Sequence, residues 1–512
     1  MGSAVVDFFA NSPIELRLAQ PDIGGQTTVP IHLWSASRRT RPSAPAEALV
    51  RKVLGRAGER GSSRFFYDSD PADTSSRFNP GFPSWRRVVD DPAVDIVVEV
   101  TGSPVAEAII QEALWNGKCV VTANKKVMSR SGYELVRLAE SRGAVLAYEA
   151  SVGGGMPVVQ MIGSSIGGRI TALLAIINGT TNFILSEMSA GAQAAKTPAE
   201  AEKLYPMALA EAVKRGLAEA DPSDDVLGED ARSKLIILAG LAFGIRLRPA
   251  DVYLRGIARK GRLTVASIFT ASDLAVLRAL GYVPKLLSGA QRHHEGGRER
   301  IIAWAQPAGV PANHPLAGVT GSENACLLRV ESPLPPGQGA RRFEVMVRGP
   351  GAGGPETASS IISDIQFCAR QLAIAGHLGH RREAGQGAAT IYNYGSGAFS
   401  QSQEYTGIPA MCQTDALVAP FLLRFLTVAG TESAVGLQVS AALKAAGIEA
   451  QRLPSPGASS STVYLKTAPA SVRAVEAALE TVLASCGAQS LSMDVLYLPL
   501  LDGPAWGVAG KG

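Results

Sequence analysis

The sequence predicts an α/β chain. It combines a doubly wound parallel sheet in residues 1–150, an α+β second domain and a small ferredoxin-like unit near the end. Three observations carry that reading. Strand-like and helix-like pieces alternate through the first 150 residues, the pattern of a parallel sheet with crossover helices. From 151 to 370 the texture changes to Gly-rich turns, helices around 204–216 and 229–243, and strands such as "RRFEVMVRG". Residues 416–500 then read strand, helix ("SAVGLQVSAALKAAG"), strand ("STVYLKT"), helix ("SVRAVEAALETVLASCG"), strand.

The opening "MGSAVVDFFANS" has the apolar spacing of a helix packed on a sheet. "VPIHLWSAS" reads as a strand, and 41–85, polar and rich in Ser, Pro and Arg, as an excursion. "VDIVVEVTG" is a β-branched run apolar on both faces, which fits a central parallel strand. "SPVAEAIIQEALWNG" follows as a helix with a Gly stop. "KCVVTAN" is the next strand, "SGYELVRLAESRG" the next helix, and "AVLAYEAS" another strand. Residues 371–415 hold much Gly, Gln and Ser with little periodicity and read as a linker. The expected domains are therefore 1–150, 151–370 and 416–505.

Composition excludes several classes. A chain of 512 residues can bury sizeable cores in two or three domains. A net charge of +4 is too weak to imply nucleic acid. Five cysteines are scattered without CxxC, which disfavours a zinc site or disulfide framework and suits a reducing, cytoplasmic compartment. No apolar run reaches the ~18 residues of a membrane span. The quoted start lacks the basic and apolar segments of a signal peptide, and targeting upstream of it stays open.

Ligands of a doubly wound sheet bind at the carboxyl ends of its strands, which directs attention to Thr101, Gly102 and Lys125. In "VTANKK", Lys125 either reaches a substrate or is a solvated loop lysine. "EASVGGGMPVVQ" is either a loop whose carbonyls face a cation or cofactor, or a tight turn between domains. "NGTTN" (178–182) can cap a helix, bind an anionic group, or both.

"GLAEADPSDDVLGEDARSKLIILAGLAFG" carries the most chemistry. Asp230 and Lys234 are four apart and share a helix face, which Ile237, Leu238 and Leu241 continue as an apolar stripe. Buried charges are costly alone, so the two should pair with each other or with a polar ligand. Glu219, Asp221, Asp224 and Asp225 cluster just upstream. Carboxylates around one Lys suit a substrate that carries an ammonium group and needs a proton donor. The alternative is an acidic loop before a helix, with Asp near its positive end. "RGPGAGGPETASS" (348–360) is a second Gly-rich loop that could approach a phosphate or nicotinamide.

Taken together these motifs resemble homoserine dehydrogenase. The series is "VVEVTG", "VTANKK", "YEASVGGGMP", "INGTTNFIL", "GLAEADPSDDVLGEDARSKL", "HPLAGVTGSENA" and "GPGAGGPETASSIISD", spanning roughly 95–366 in the family's order. The resemblance implies a reversible NAD(P)-dependent reduction of aspartate 4-semialdehyde to L-homoserine, on the route to threonine, methionine and isoleucine. Lys234 matches the proton donor and Lys125 an active-site lysine touching substrate and cofactor. Glu219 and Asp230 match substrate-binding carboxylates, Asp225 a supporting one, and Gly179 and Thr180 the substrate-side backbone and hydroxyl. Thr101, Gly102, Gly351 and Gly353 fall in cofactor-side motifs. The carbonyls of Glu149, Val152, Gly154 and Met156 match a structural sodium site.

The family opens with a strand and GxGxxG, and "MGSAVVDFF" is similar to the end of that fingerprint. Gly2 would be its last glycine, and the first strand of a Rossmann-like sheet would precede Met1. At the second strand an NAD site usually places an acid, whereas Ser37, Arg38 and Arg39 either suit the 2′-phosphate of NADP or form a basic solvated loop. The C-terminal unit resembles an ACT domain, with "VAGTESAVG" standing where that family has D-x-P-G. That unit implies an amino-acid effector and a monofunctional enzyme, and the resemblance to the dehydrogenase family implies a homodimer formed largely through the second domain. The competing expectation is a cofactor-deficient paralogue or fragment that senses a ligand or binds a partner.

Overall fold

The computed structural model describes residues 14–19, 26–31, 35–38, 64–67, 84–219, 221–260, 265–295, 298–333, 340–383, 417–427, 432–454, 462–485 and 491–501. The chain divides into two compact units. One comprises Met1–Ile166, Gly240–Gly244 and Ala352–Gln403. The other comprises Gly167–Ala239, Ile245–Gly351 and Glu404–Gly512.

In the first unit, β1 (Ile14–Ala19) pairs antiparallel with β2 (Gln26–Ile31). β3 (Ser35–Arg38) pairs parallel with β4 (Arg64–Tyr67). After α1 (Ser84–Val89) come β5 (Ile96–Glu99), α2 (Ala106–Trp115), β6 (Cys119–Thr122), α3 (Lys125–Ser141) and β7 (Leu146–Ala147). β5, β6 and β7 form a parallel sheet in that order. β6 is buried along its whole length, whereas β5, expected to be central, stands at the edge of these three strands and alternates, with Val97 and Glu99 buried and Ile96 and Val98 half-buried. α2 adds Ile109, Ile110, Ala113 and Leu114, and α3 adds Leu135, Val136 and Ala139. The spacing of these residues is the apolar stripe of a helix lying on a sheet.

A long helix, Gly354–Glu383, returns to this unit and packs on β6, β7 and the turn that follows β7. Its stripe of Ile361, Ile365 and Cys368 is buried. The linker expected from 371 is therefore helical through Glu383. Cooperative propagation from the buried stripe outweighs the helix-weakening Gly376 and Gly379. Three further expectations change in this unit. "VPIHLWSAS" is two strands, since β2 ends at Ile31 and β3 begins at Ser35. The polar excursion 41–85 contains β4. The strand in "AVLAYEAS" stops at Ala147, because Tyr148 turns the chain into a 3₁₀ turn at Glu149–Ser151. The helix expected at the opening lies outside the described residues.

In the second unit, β8 (Arg169–Ile176) leads into α4 (Gly179–Ala194), α5 (Leu204–Lys214), α6 (Ser223–Val226) and α7 (Glu229–Phe243). Then follow β9 (Val252–Leu254), α8 (Ala271–Ala279), β10 (Tyr282–Glu295), β11 (Arg298–Pro311), β12 (Glu323–Pro333) and β13 (Ala340–Pro350). The six-stranded sheet runs β13-β12-β8-β10-β11-β9. It is antiparallel except at β11–β9. α4 packs against α5, α8, β10 and β12.

The end of the chain adds β14 (Phe421–Thr427), α9 (Glu432–Ala445), β15 (Ala450–Leu453), β16 (Thr462–Thr467), α10 (Val472–Ser485) and β17 (Leu491–Pro499). Their sheet order, β15-β16-β14-β17, is the ferredoxin-like one. β15 is an extra strand relative to the five elements expected from sequence. One apolar cluster runs from the large sheet (Leu174, Leu287, Trp304, Leu327) into this subunit (Phe421, Phe425, Val439, Val475). Beside it Arg424 and Asp273, both fully buried, pair at 2.6 Å. Tyr464 donates its hydroxyl to the same carboxylate at 2.9 Å. Among the described residues no helix is long and apolar enough to cross a membrane.

Candidate active site

The second unit builds a polar cluster at the carboxyl end of β8. The apolar run "LLAII" ends at Ile177, and Asn178 turns out of the strand to cap α4. Its Oδ1 accepts the N–H of Thr181 at 2.8 Å, filling one of the unpaired donors of the helix start. Its Nδ2 donates to Asp225 Oδ1 at 2.7 Å and to Asp230 Oδ2 at 2.9 Å. One amide thus joins two carboxylates that would otherwise repel.

Lys234 completes the cluster. Its Nζ donates to the Ile177 carbonyl at 3.0 Å and lies 3.4 Å from Asp230 Oδ2. Asp230 is 4% exposed and Lys234 8%. The pair expected from the i, i+4 spacing exists and is buried, and the carbonyl gives the ammonium a second hydrogen-bond acceptor. An ammonium has three donors. With one on Ile177 and one directed at Asp230, a third remains for a ligand oxygen. The Thr180 hydroxyl donates to the Leu217 carbonyl at 2.7 Å, which ties the start of α4 to the turn after α5. Glu219 stands exposed in that turn, outside the hydrogen-bonded cluster.

The first unit has its own candidate positions. Glu99 ends β5 fully buried. Its carboxylate accepts the N–H and hydroxyl of Thr101, both at 2.7 Å, and the Thr122 hydroxyl at 2.9 Å. These bonds lock the carboxyl ends of β5 and β6 together. Thr101 and Gly102 stand exposed there, with Gly102 at φ +60°. Accessible backbone at the carboxyl ends of parallel strands is where a dinucleotide binds in such sheets, so the residues present fit one. Asn124 caps α3 by accepting the Val127 N–H at 3.1 Å, and half-buried Lys125 is the first residue of that helix. Ser37 and Arg38 lie on β3, while Gly2 and Arg39 lie outside the described residues.

The turn after β7 is drawn inward. Glu149 accepts the N–H groups of Val159 (2.8 Å) and Gln160 (2.7 Å), while its own N–H donates to Asp364 at 2.8 Å. Burial, with a smaller contribution from Asp364, pushes its carboxyl up to about 8. The Gly154 carbonyl accepts from Ser360, and the Met156 carbonyl from the Val158 N–H at 2.8 Å. A side chain at Gly153 would meet the Met156 carbonyl at 2.2 Å, so the close approach of these peptide groups needs glycine. The Gly154 and Met156 carbonyls each keep a second lone pair, whereas the Glu149 carbonyl already accepts the N–H groups of Val152 and Gly153, both at 3.1 Å. Among the described residues no group of His, Cys, Asp and Glu could hold a metal ion through side chains.

The second Gly-rich loop divides between the units. Gly351, in the second, lies against buried Asn324, and a Cβ there would come within 1.8 Å of the amide nitrogen. Gly353, in the first, has φ +131° and precedes the return helix. Sequence reasoning missed Asn178. Its position between a buried strand and a helix signals a cap or an anion site, and neither reading points to the two carboxylates it joins.

One unit thus holds a parallel sheet of the kind whose strand ends bind nucleotides, and the other a buried Lys–carboxylate cluster. Residues 62–149 match the family model "Homoserine dehydrogenase, NAD binding domain", and residues 157–366 the model "Homoserine dehydrogenase". The chain carries both domains of the homoserine dehydrogenase family. The homoserine dehydrogenase of Mycobacterium tuberculosis is 41% identical over 286 residues, 55% of this chain and 58% of the relative. That of Bacillus subtilis is 38% identical over 280 residues, 54% and 57%. The chain thus spans under three fifths of the length of these curated relatives. A homoserine dehydrogenase structure from Thiobacillus denitrificans aligns with TM-score 0.66 and 28% identity, covering 91% of this chain and 90% of that one. One from S. aureus at pH 6.5, at 24% identity and TM-score 0.54, shares the fold.

Proposed function

We propose that this protein interconverts L-aspartate 4-semialdehyde and L-homoserine with a nicotinamide nucleotide. The observation that carries this reading is Lys234, buried beside Asp230 and held by the Ile177 carbonyl. An ammonium so placed can give a proton to an aldehyde oxygen as it becomes an alkoxide, and take it back in the reverse direction. Asp230 and the Ile177 carbonyl aim that ammonium. Asn178 holds Asp225 and Asp230 as one acceptor surface, suited to a substrate amino or hydroxyl group. Glu219, exposed in the turn after α5, is available to a substrate ammonium. Gly179 and Thr180 present backbone at the positive end of α4, which favours an anionic group.

The cofactor, when bound, supplies the hydride. Thr101, Gly102, Lys125, Gly351 and Gly353 are the proposed cofactor-side positions, with Gly2 as the end of the glycine fingerprint. Ser37, Arg38 and Arg39 favour NADP over NAD, since no acid stands there for a ribose hydroxyl. The turn carrying Glu149, Val152, Gly154 and Met156 is proposed to take a sodium ion that orders it. A homodimer through the second domain, and an amino-acid effector on the ferredoxin-like subunit as in ACT domains, complete the proposal.

The test is oxidation of NADPH by the purified chain with L-aspartate 4-semialdehyde, beside a Lys234→Ala variant. The expected result is turnover in the first and a loss of at least about 10³-fold in the second, the scale of a positioned proton donor. Robust turnover in a folded Lys234→Ala protein removes the assigned role. A chain that binds no NADPH by calorimetry removes the dehydrogenase reading altogether.

A further inference from the structure

Lys285 lies on β10, one of the two central strands of the six-stranded sheet, and is 1% exposed. Its Nζ donates to the Asn182 side-chain oxygen at 3.0 Å and to the Val319 carbonyl. No Asp or Glu among the described residues forms an ion pair with it. Burying an ammonium against neutral acceptors alone costs several kcal/mol, and an apolar side chain of similar volume avoids that cost. Packing therefore gives no reason for a lysine at this position, and the reason must lie in what the ammonium holds.

It holds the start of α4 from below. Asn182 lies one turn after Asn178, to whose carbonyl it gives its N–H at 3.2 Å. Asn182 also donates its side-chain amide to the Val319 and Glu323 carbonyls at 3.2 and 3.1 Å. The same 319–323 turn presses on Gly179, where a Cβ would meet the Ser322 carbonyl at 2.5 Å. The ammonium, Asn182 and this turn thus clamp the one helical turn that presents Asn178, Gly179 and Thr180. The charge also sits beneath the first turn of a 16-residue helix, adding to the positive potential of that end.

We propose that Lys285 is a positioning residue for the amino-acid substrate: through Asn182 and the Val319 carbonyl it fixes the first turn of α4, and its charge favours a ligand carboxylate at that helix end. The inference rests on the dehydrogenase reading. It assigns Lys285 to substrate affinity, not to proton transfer and not to stability.

The experiment compares the full chain with Lys285→Met and Lys285→Gln. In the Met variant, KM for the amino-acid substrate should rise by about tenfold or more, a change of about 1.4 kcal/mol, while kcat and KM for the nicotinamide nucleotide stay within about twofold. Lys285→Gln keeps a donor without the charge and should recover part of that loss. A folded Met variant with unchanged substrate KM, or with its loss confined to kcat, overturns the proposal. If the Met variant does not fold, the Gln variant carries the same test, with raised substrate KM at constant kcat as the required result. Absence of turnover in the unaltered protein overturns the dehydrogenase reading and this inference together. Normal kinetics in the variants overturns this inference alone.

Discussion

Asn178 shows how a single residue can do two jobs. Its oxygen caps α4 and its nitrogen joins Asp225 to Asp230. Replacing it with Ala should remove both. We expect Asn178→Ala to cost about 1–3 kcal/mol of stability, the range for a lost cap and unmatched buried acceptors. We also expect kcat/KM to fall by more than about tenfold, because Asp230 would no longer be held where it serves Lys234. Urea titration and steady-state kinetics read the two effects separately. The Asp230–Lys234 pair was legible in the sequence because i, i+4 spacing and an apolar continuation are local facts. Asn178 and Lys285 were not legible as site residues. The partners of Asn178 are 47 and 52 positions away and those of Lys285 are 103 and 34, so only the tertiary fold reveals them.

At the scale of elements, the strands and helices from β5 to α3 could be read from sequence. Continuous β-branched runs and Gly stops are strong local signals. β15 escaped notice because "AQRL" lacks such a run and is defined by its pairing with β16. The return helix was underestimated because its second half is held by its first half, which no local window records. The turn after β7 depends on peptide groups in close approach. Gly153→Ala should therefore force the backbone away from Met156, with a stability loss of roughly 1–3 kcal/mol, the range for overpacking a close contact. Equal melting temperatures for the two proteins would contradict that account. The buried Arg424–Asp273 pair joins β14 to the start of α8. Removing one partner strands the other, so Asp273→Ala should destabilise the second unit by about 3–5 kcal/mol. Calorimetric unfolding is the check.

For the whole molecule, Lys285 sets a pH dependence. Burial, aided by the nearby Arg348, pushes its ammonium down to about 8 from 10.5. Between those values the folded protein has released this proton while the unfolded chain still holds it. The unfolded state binds more protons there, so this group's contribution to stability rises with pH from about 8 to 10.5. Subtracting the profile of Lys285→Met from that of the unaltered protein, each measured by urea midpoint, should isolate that rise. A flat difference would contradict the assigned environment.

The return helix has a consequence in time as well as in space. The Glu149 N–H waits for Asp364, a partner 215 residues later in the chain. A ribosome adding roughly 5–20 residues per second needs on the order of ten seconds or more to supply it. Until then β6, β7 and the turn behind them lack the helix that covers them. Newborn chains should thus pass through a long window with an open sheet, during which chaperones or a sister chain can reach it. Synthesis order therefore sets when this turn can close.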